Sequence, residues 1–226
     1  MYKSRAYRLL GFLMAVMITG MLTGCGGKTA EGQSDPIPDT PLAEDGDFTQ
    51  VVFPSANDTE GMSAMLVYVG ESLAEMYQSE ETGYVVIADV VLDTGIIDHE
   101  KTPDQVVSVL RLREVLKGDM QPGDLIRVPE TGIRRLDGSD VAIDGVPLLR
   151  KNMRVLLFLK PPYTMKNGET GYSIRGVYQG KFFFDTEGML HAGASLSDEA
   201  HQQLEDCPDV MTLEEFKALL PLETAD

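Results

Sequence analysis

The stretch Tyr84-Val85-Val86-Ile87-Ala88-Asp89-Val90-Val91-Leu92 determines how this chain must fold. It is rich in β-branched residues, and its apolar side chains run almost continuously instead of alternating with polar ones. Such a run is typical of a β-strand that is buried on both faces. We therefore expect a central strand at 84–92, with the remaining secondary structure arranged around it.

Further strand segments follow at roughly ten-residue spacing, separated by turn residues. They are 105–116, 125–128, 154–159, 172–178 and 181–185. The segment 105–116 mixes alternation with apolar pairs, which indicates one wet face and a bulge. Pro129 is expected to end the strand that precedes it, because proline cannot donate to a sheet. Residues 130–150 are rich in Gly and Asp and are expected to form a loop.

Two capping boxes predict helices before and after these strands. Ser72-Leu73-Ala74-Glu75 begins one helix, and Thr212-Leu213-Glu214-Glu215 begins another. In each, the hydroxyl and the carboxylate three residues later satisfy backbone N–H groups reciprocally. Ser197 is a third cap, for a helix at 198–204.

The order of these segments resembles a known domain type. A strand ending in Glu114-Val115-Leu116-Lys117-Gly118-Asp119 is followed by Pro122-Gly123-Asp124, by Leu156-Leu157-Phe158-Leu159 and by Gln179-Gly180-Lys181-Phe182. Over residues 66–190 this order is similar to the bacterial OB-fold domains that resemble tissue-inhibitor-of-metalloprotease and netrin modules. The motifs are turns and core residues, so they indicate a fold and not a function.

The resemblance and the strand spacing together predict the fold class. We expect an α+β domain at 62–222, built as a five- or six-stranded antiparallel OB-like β-barrel flanked by an N-terminal helix and C-terminal helices. Barrels of this kind often bind ligands on the barrel face and its adjoining loops.

The N-terminus has the layout of a secretory signal. Lys3, Arg5 and Arg8 precede an apolar run at 9–21, which is shorter than the roughly 20 residues that a membrane-spanning helix needs. The following Leu22-Thr23-Gly24-Cys25 resembles a bacterial lipobox, in which the cysteine thiol is acylated. The alternative is an ordinary secretory signal or a short anchor, with Cys25 incidental.

The lipobox resemblance implies a lipoprotein on the outer face of a Gram-positive cytoplasmic membrane. Residues 1–24 would be its signal peptide, and acylated Cys25 would hold it in the membrane lipid. Each buried acyl CH₂ contributes about 0.8 kcal/mol, and two chains anchor stably where one does not. Residues 25–61 combine Pro, Gly and acidic residues and are expected to form a flexible tether, with an apolar island at 51–53 that docks on the domain.

The net charge argues against nucleic acid as a partner, and the cysteine content argues against a disulfide framework. The chain has 19 basic and 36 acidic residues and a formal charge of −17, so it repels nucleic-acid phosphates and is not expected to bind nucleic acid. If Cys25 carries lipid, Cys207 is left without an internal partner, which excludes a disulfide framework.

Basic residues concentrate around the predicted loop at 130–150. They are Arg134, Arg135, Arg150, Lys151 and Arg154. On so acidic a chain this cluster is a candidate surface for an anionic ligand or a partner. The alternative is intramolecular charge balance. Tyr163, Tyr172 and Tyr178 could add a stacking surface, or they could be ordinary tyrosines between the core and its edge.

Metal and cofactor chemistry have weak support. Asp137, Asp140 and Asp144 offer hard oxygen ligands for calcium, but their spacing is not that of an EF-hand, and a polar turn is the alternative. No two histidines have the i, i+4 spacing that places both on one face of a helix, and none has a neighbouring cysteine at zinc-site spacing; the three are His99, His191 and His201. We predict no metal and no cofactor.

Function is therefore predicted by exclusion. The sequence contains no Gly-x-Ser-x-Gly elbow, and the glycines at 118 and 123 are flanked by acids that would repel phosphate. The prediction is a non-catalytic module that binds a ligand or an envelope protein. One alternative is an envelope enzyme that uses the loop carboxylates. Another is a protease inhibitor, as the resemblance implies, although the inhibitors use an unmodified N-terminal cysteine that would here be acylated.

Overall fold

The computed structural model describes residues 51–54, 59–62, 71–94, 105–135, 137–197 and 204–222. The predicted signal peptide, the lipobox-like sequence and Cys25 lie outside these residues. The elements in chain order are β1 (Thr59–Met62), α1 (Leu73–Gln78), β2 (Tyr84–Thr94), β3 (Gln105–Lys117), β4 (Leu125–Arg134), β5 (Asp140–Ile143), β6 (Arg154–Leu159), β7 (Tyr163–Thr164), β8 (Thr170–Gly171), β9 (Lys181–Phe184), β10 (Leu190–Ala192), β11 (Val210–Met211) and α2 (Leu213–Leu219).

Nine of these strands form one mixed sheet. Its order is β1-β5-β4-β3-β2-β6-β9-β10-β11, and β7 pairs with β8 as a separate hairpin. Strand β1 runs parallel to β5, while the other neighbours are antiparallel. The expected bulge is present, since the register between β2 and β3 shifts at three places.

Strand β2 is buried on both faces, as its sequence predicts. Val85 and Ile87 point to one face, and Val86, Ala88 and Val90 point to the other. The second face packs against apolar side chains of β3, β4, β6 and β9. Burial of both faces explains why apolar residues run continuously through this strand instead of alternating.

The first face of the sheet is covered by the two helices. Leu73 and Met76 of α1 and Phe216 of α2 belong to the same buried cluster as Val85 and Ile87. The ring of Phe216 meets the ring of Phe182 edge to face, with centroids 5.1 Å apart. The domain therefore has a helical layer on one side of its sheet.

The predicted OB-like barrel is wrong. In the part of the chain that the structure describes, β1 and β11 are the two ends of the sheet order, so the sheet does not close on itself. A small barrel buries only the inward side chains of each strand. Here the central strands bury both faces, because α1 and α2 cover what would have been the wet outer face. The predicted flanking helices are also wrong in extent, because the described residues contain only two short α-helices, α1 and α2.

Three local predictions also need correction. Strand β4 continues through Pro129 to Arg134, and residues 140–143, predicted as loop, form β5. Pro129 is tolerated because its nitrogen faces away from β3 and is not needed for pairing with that strand. The Arg127 carbonyl, two residues earlier, points to the same side, where it accepts from the Tyr172 amide. The predicted strand at 172–178 is wrong, since residues 175–180 form a compact turn.

Both capping boxes are confirmed. The Ser72 hydroxyl accepts from the Glu75 amide while the Glu75 carboxylate accepts from the Ser72 amide, and Thr212 and Glu215 repeat the arrangement. The predicted helix at 198–204 falls almost wholly outside the described residues.

The apolar island before β1 contacts the sheet. The Val52 amide donates to the Asn152 carbonyl at 3.1 Å, and the Phe53 ring packs on the imidazole of His191 with centroids 4.6 Å apart. Pro54 is buried. These contacts tie the chain preceding β1 to the sheet near β6 and β10.

Candidate ligand-binding site

A cavity of about 340 Å³ lies between the end of β4, strand β5 and the segment 173–178. Its apolar wall includes Ile143, Val146, Leu148 and Ile174. Ligand pockets occupy roughly 300–1,000 Å³, so this cavity has the size for a small molecule.

The floor of the cavity is a buried ion pair between Lys181 and Glu130. The Lys181 Nζ lies 2.7 Å from Glu130 Oε1 and donates to the Pro147 carbonyl at 2.7 Å, and the two side chains are only 3% and 6% exposed. The other carboxylate oxygen, Oε2, accepts from the Leu149 amide at 2.8 Å. The centroid of the Phe183 ring lies 5.6 Å from the ammonium.

Sheet geometry places this pair. Lys181 is the first residue of β9, opposite Leu157 of β6, and Glu130 lies in β4 opposite Val106 of β3. Moving two charges out of water costs several kcal/mol for each ion, and a buried pair recovers this only when the remaining hydrogen bonds are satisfied. The carbonyl of Pro147 and the amide of Leu149 provide those bonds.

The rim of the cavity, formed by Tyr163 and Val177, is exposed and strained. Both side chains are nearly two-fifths exposed, which is unusual for large apolar residues in this domain. Val177 has φ 64°, and the Tyr178 amide donates to the Gly176 carbonyl at 2.7 Å across it. This is a γ-turn with a positive central φ, a rare and strained form. For a β-branched residue such a φ is a true outlier, and such outliers concentrate at functional sites.

The strained turn is held at both ends by one residue of β6. The Phe158 carbonyl accepts from the Arg175 amide at 2.8 Å, and the Phe158 amide donates to the Gly180 carbonyl at 2.8 Å. A side chain at Gly180 would meet the Arg175 carbonyl at 2.7 Å, so only glycine fits there. Residues 175–180 therefore protrude from an otherwise regular strand pairing and place Val177 at the rim.

Most of the predicted basic surface is engaged with carboxylates. Buried Asp140 accepts from Arg134 at 2.9 Å and from Arg150 at 3.0 Å, and Arg134 also binds Asp93 at 2.5 Å. Exposed Arg135 pairs with Glu60 of β1 at 2.5 Å. This arrangement is the intramolecular charge balance that the sequence left open as the alternative.

Arg154 belongs to a second buried network, away from Asp140. Its Nε donates to Asp89 Oδ1 at 2.8 Å, and Arg113 binds the other oxygen of the same carboxylate. Asp89 is fully buried in β2. Lys151 has an exposed side chain, and its backbone amide donates to Asp93 at 3.3 Å. Arg134, Arg150 and Lys151 therefore share the Asp93 and Asp140 carboxylates, while Arg135 and Arg154 have partners elsewhere.

The three loop carboxylates do not converge on one point. Asp137 accepts from the hydroxyl and amide of Ser139, which lowers the pKa of its carboxyl, and Asp144 accepts from the Tyr178 hydroxyl at 3.1 Å. Asp140 is held by its two arginines. Within the described ranges no three His, Cys, Asp or Glu side chains are grouped to hold a metal ion.

Of the three histidines, only His191 lies among the described residues. Its Nε2 lies 2.8 Å from Asp185 Oδ2. Burial raises the pKa of the Asp185 carboxyl, but hydrogen bonds from His191 and from the amides of Met189 and Glu187 outweigh it, so that the pKa is lowered overall. The pair stabilises the turn between β9 and β10.

The three tyrosines separate into two groups. Tyr163 and Tyr178 both line the cavity, the first at its rim and the second with its ring buried. Tyr172 instead meets Tyr84 edge to face, with centroids 5.7 Å apart, and burial raises the pKa of its phenol. Cys207 is a buried thiol, and burial raises its pKa to about 11.

Lys181 and Glu130 carry the site, and sequence reasoning missed both. The sequence predicts that Lys181 begins a strand and that Glu130 lies in a loop after Pro129. The one available signal is a lysine that directly precedes three phenylalanines, because a charged residue at the start of so apolar a strand needs a partner.

Comparison with known proteins adds no relative. No protein-family model matches the chain, and no curated protein matches it either. Among the described residues, none of the helices has both the length and the apolar character to cross a membrane.

Proposed function

We propose that the folded domain is a non-catalytic module that binds a small ligand in the cavity between β4, β5 and the segment 173–178. The observation that carries this proposal is the cavity floor, where the buried Lys181–Glu130 pair, held by the Pro147 carbonyl and the Leu149 amide, lies beside apolar side chains. Small-molecule sites place a few fixed polar groups beside apolar side chains, and both kinds of group line this cavity.

Binding is favoured over catalysis by the state of the polar groups. The two charged groups of the floor neutralise each other, so neither is poised as a free base or nucleophile. The loop carboxylates on which an envelope enzyme would depend have separate partners. A ligand held in this cavity would contact groups that orient it and would not react with them.

We further propose that the module works outside the cytoplasm, held to the membrane by acylated Cys25. The support is the sequence Leu22-Thr23-Gly24-Cys25 after a basic and apolar N-terminus. Feeding labelled palmitate to cells that express the full chain tests the anchor. We expect label on the wild type and none on Cys25→Ala, and an unlabelled wild type would contradict acylation.

The cavity itself is tested by filling it. Ser173 lines the cavity with a half-buried side chain, so Ser173→Phe should block it, while Ser173→Ala leaves it open. The full chain in nanodiscs is screened by saturation-transfer NMR against small organic acids, alcohols and amines, with empty nanodiscs as the blank. We expect binders whose signals persist with Ser173→Ala and vanish with Ser173→Phe. Binding that is indifferent to Ser173→Phe, or absent altogether, would refute the proposal.

A further inference from the structure

We infer that the ligand of this cavity is a small amphipathic monoanion, a single carboxylate attached to an apolar group. This inference rests on the proposed function and specifies the chemistry of the same site. The structure supports it through a spare hydrogen-bond donor, a local excess of positive charge and the distribution of polar and apolar groups in the lining.

The first support is the donor capacity of Lys181. An ammonium has three N–H donors. Within the described part of the chain, two of them meet the Glu130 carboxylate and the Pro147 carbonyl. We infer that the third serves an acceptor in the cavity that Lys181 lines, beside the ring of Phe183. A carboxylate oxygen is the acceptor that gives an ammonium its strongest hydrogen bond.

The second support is the charge of the lining. The charged side chains around the cavity are Lys181, Glu130 and Lys160, so the lining carries one net positive charge. The chain as a whole carries −17. A cavity that reverses the sign of the surrounding protein attracts anions and repels cations.

The size of that excess selects a monoanion. Lys181 is already balanced by Glu130, and exposed Lys160 at the cavity supplies the surplus charge. A carboxylate brings one negative charge, whereas a phosphate monoester brings about 1.5 to 2 at pH 7. A second negative charge would find no second cation in the lining and would face the carboxylate of Glu130.

The third support is that both polar and apolar groups line the cavity. The hydroxyl group of Thr131 can donate to an anionic head group, while Ile143, Val146 and Ile174 offer a surface for an apolar tail. Val177, exposed at the rim, extends that surface toward solvent. Burial of a tail there is favourable by roughly 25 cal/mol per Å² of apolar surface.

The test uses three probes that differ only in the head group: 4-phenylbutyrate, 4-phenylbutanol and 4-phenylbutylamine. Their affinities for the full chain in nanodiscs are measured by calorimetry, with empty nanodiscs as the blank. We expect the carboxylate to bind at least tenfold more tightly than the alcohol, and the amine to bind most weakly. Ser173→Phe should abolish binding of the carboxylate.

Lys160→Gln isolates the contribution of the surplus charge. Because this side chain is exposed, the variant should fold normally, and we expect it to weaken 4-phenylbutyrate about tenfold and to leave 4-phenylbutanol unchanged. The matched control is Lys166→Gln, which removes the same charge from the turn between β7 and β8, outside the cavity lining. It should change the affinity less than twofold.

The outcomes separate the two proposals. If the alcohol or the amine binds more tightly than the carboxylate, and Ser173→Phe abolishes that binding, the cavity is a ligand site but the monoanion inference is wrong. If none of the three probes binds, or if Ser173→Phe has no effect on the probe that does, both the monoanion inference and the ligand site are refuted. Equal losses of affinity for 4-phenylbutyrate in Lys160→Gln and Lys166→Gln would also overturn the monoanion inference.

Discussion

At the scale of single residues, the domain holds several charged side chains in its interior. Asp89, Asp140 and Lys181 are almost fully buried, and each is held by an oppositely charged side chain. Such pairs contribute little net stability compared with an apolar packing of the same volume, but breaking one of them leaves a buried charge without a partner. We therefore expect these pairs to matter most where one of them is broken.

The pair that forms the cavity floor makes this argument testable. We expect Lys181→Met to lower the free energy of unfolding by about 3–5 kcal/mol, because Glu130 then keeps a buried charge with one amide partner. Adding Glu130→Gln removes that charge and keeps an acceptor for the Leu149 amide, so the double variant should recover at least half of the loss. Urea unfolding of the two variants measures both effects.

A surface ion pair provides the control for this cycle. Lys217 binds Glu114 at 2.8 Å, but the two side chains are partly exposed. Lys217→Met should therefore cost less than about 1 kcal/mol. A loss in Lys181→Met no larger than in Lys217→Met would show that the cavity floor is already hydrated.

At the scale of elements, the helices depend on their first turns. The backbone amides and the hydroxyls of Ser72 and Thr212 hydrogen bond to Glu75 and Glu215, and these bonds lower the pKa of both carboxyls below the ordinary value of 4.5. A carboxyl whose pKa is lower in the folded state stabilises the fold at neutral pH. That contribution is lost as the pH falls through the folded-state pKa.

Glu215→Gln should therefore change how α2 responds to acid. We expect the wild type to lose more stability between about pH 6 and pH 3 than the variant does, because only the wild type protonates this cap. Glu214→Gln changes the same charge at the preceding residue, outside the capping box, and should keep the acid sensitivity of the wild type. Chemical unfolding at a series of pH values measures the difference. Parallel pH profiles for Glu214→Gln and Glu215→Gln would contradict it.

Elements with strong local signals could be predicted from sequence, and the others could not. The strands at 84–94, 105–117 and 154–159 follow apolar runs, and both helices follow capping boxes. Strand β5 is only four residues long and follows a Gly-rich turn, so only its pairing with β1 and β4 identifies it. The turn at 175–180 has strand-like residues, and its strained Val177 is imposed by hydrogen bonds to Phe158.

The site was unpredictable for a related reason. Lys181 and Glu130 are 51 residues apart in the chain, and neither stands in a motif that indicates a function. Their contact depends on the order β4-β3-β2-β6-β9 and on the loop that carries Pro147. Sequence patterns report burial along one strand, but they do not report which distant strand supplies the partner of a buried charge.

At the scale of the whole molecule, this open sheet differs from a barrel in that helices bury its first face, which a barrel would leave to solvent. Continuous apolar residues in β2 and β9 already indicate burial on both sides, which a small barrel with a wet exterior does not provide. Helix α2 supplies the missing layer through Phe216, which packs against Phe158 and Phe182. The short helices thus act as part of the core, although they contribute few residues.

Two substitutions within α2 test this architecture. We expect Phe216→Ala to lower the free energy of unfolding by about 3–5 kcal/mol, because it opens a cavity between the helix and the sheet. Leu219→Ala, at an exposed position of the same helix, should cost less than about 1 kcal/mol. Urea unfolding with unchanged m-values would assign the difference to the folded core. If the two variants lost equal stability, α2 would be a peripheral attachment, and the sheet would have to bury its first face by some other closure.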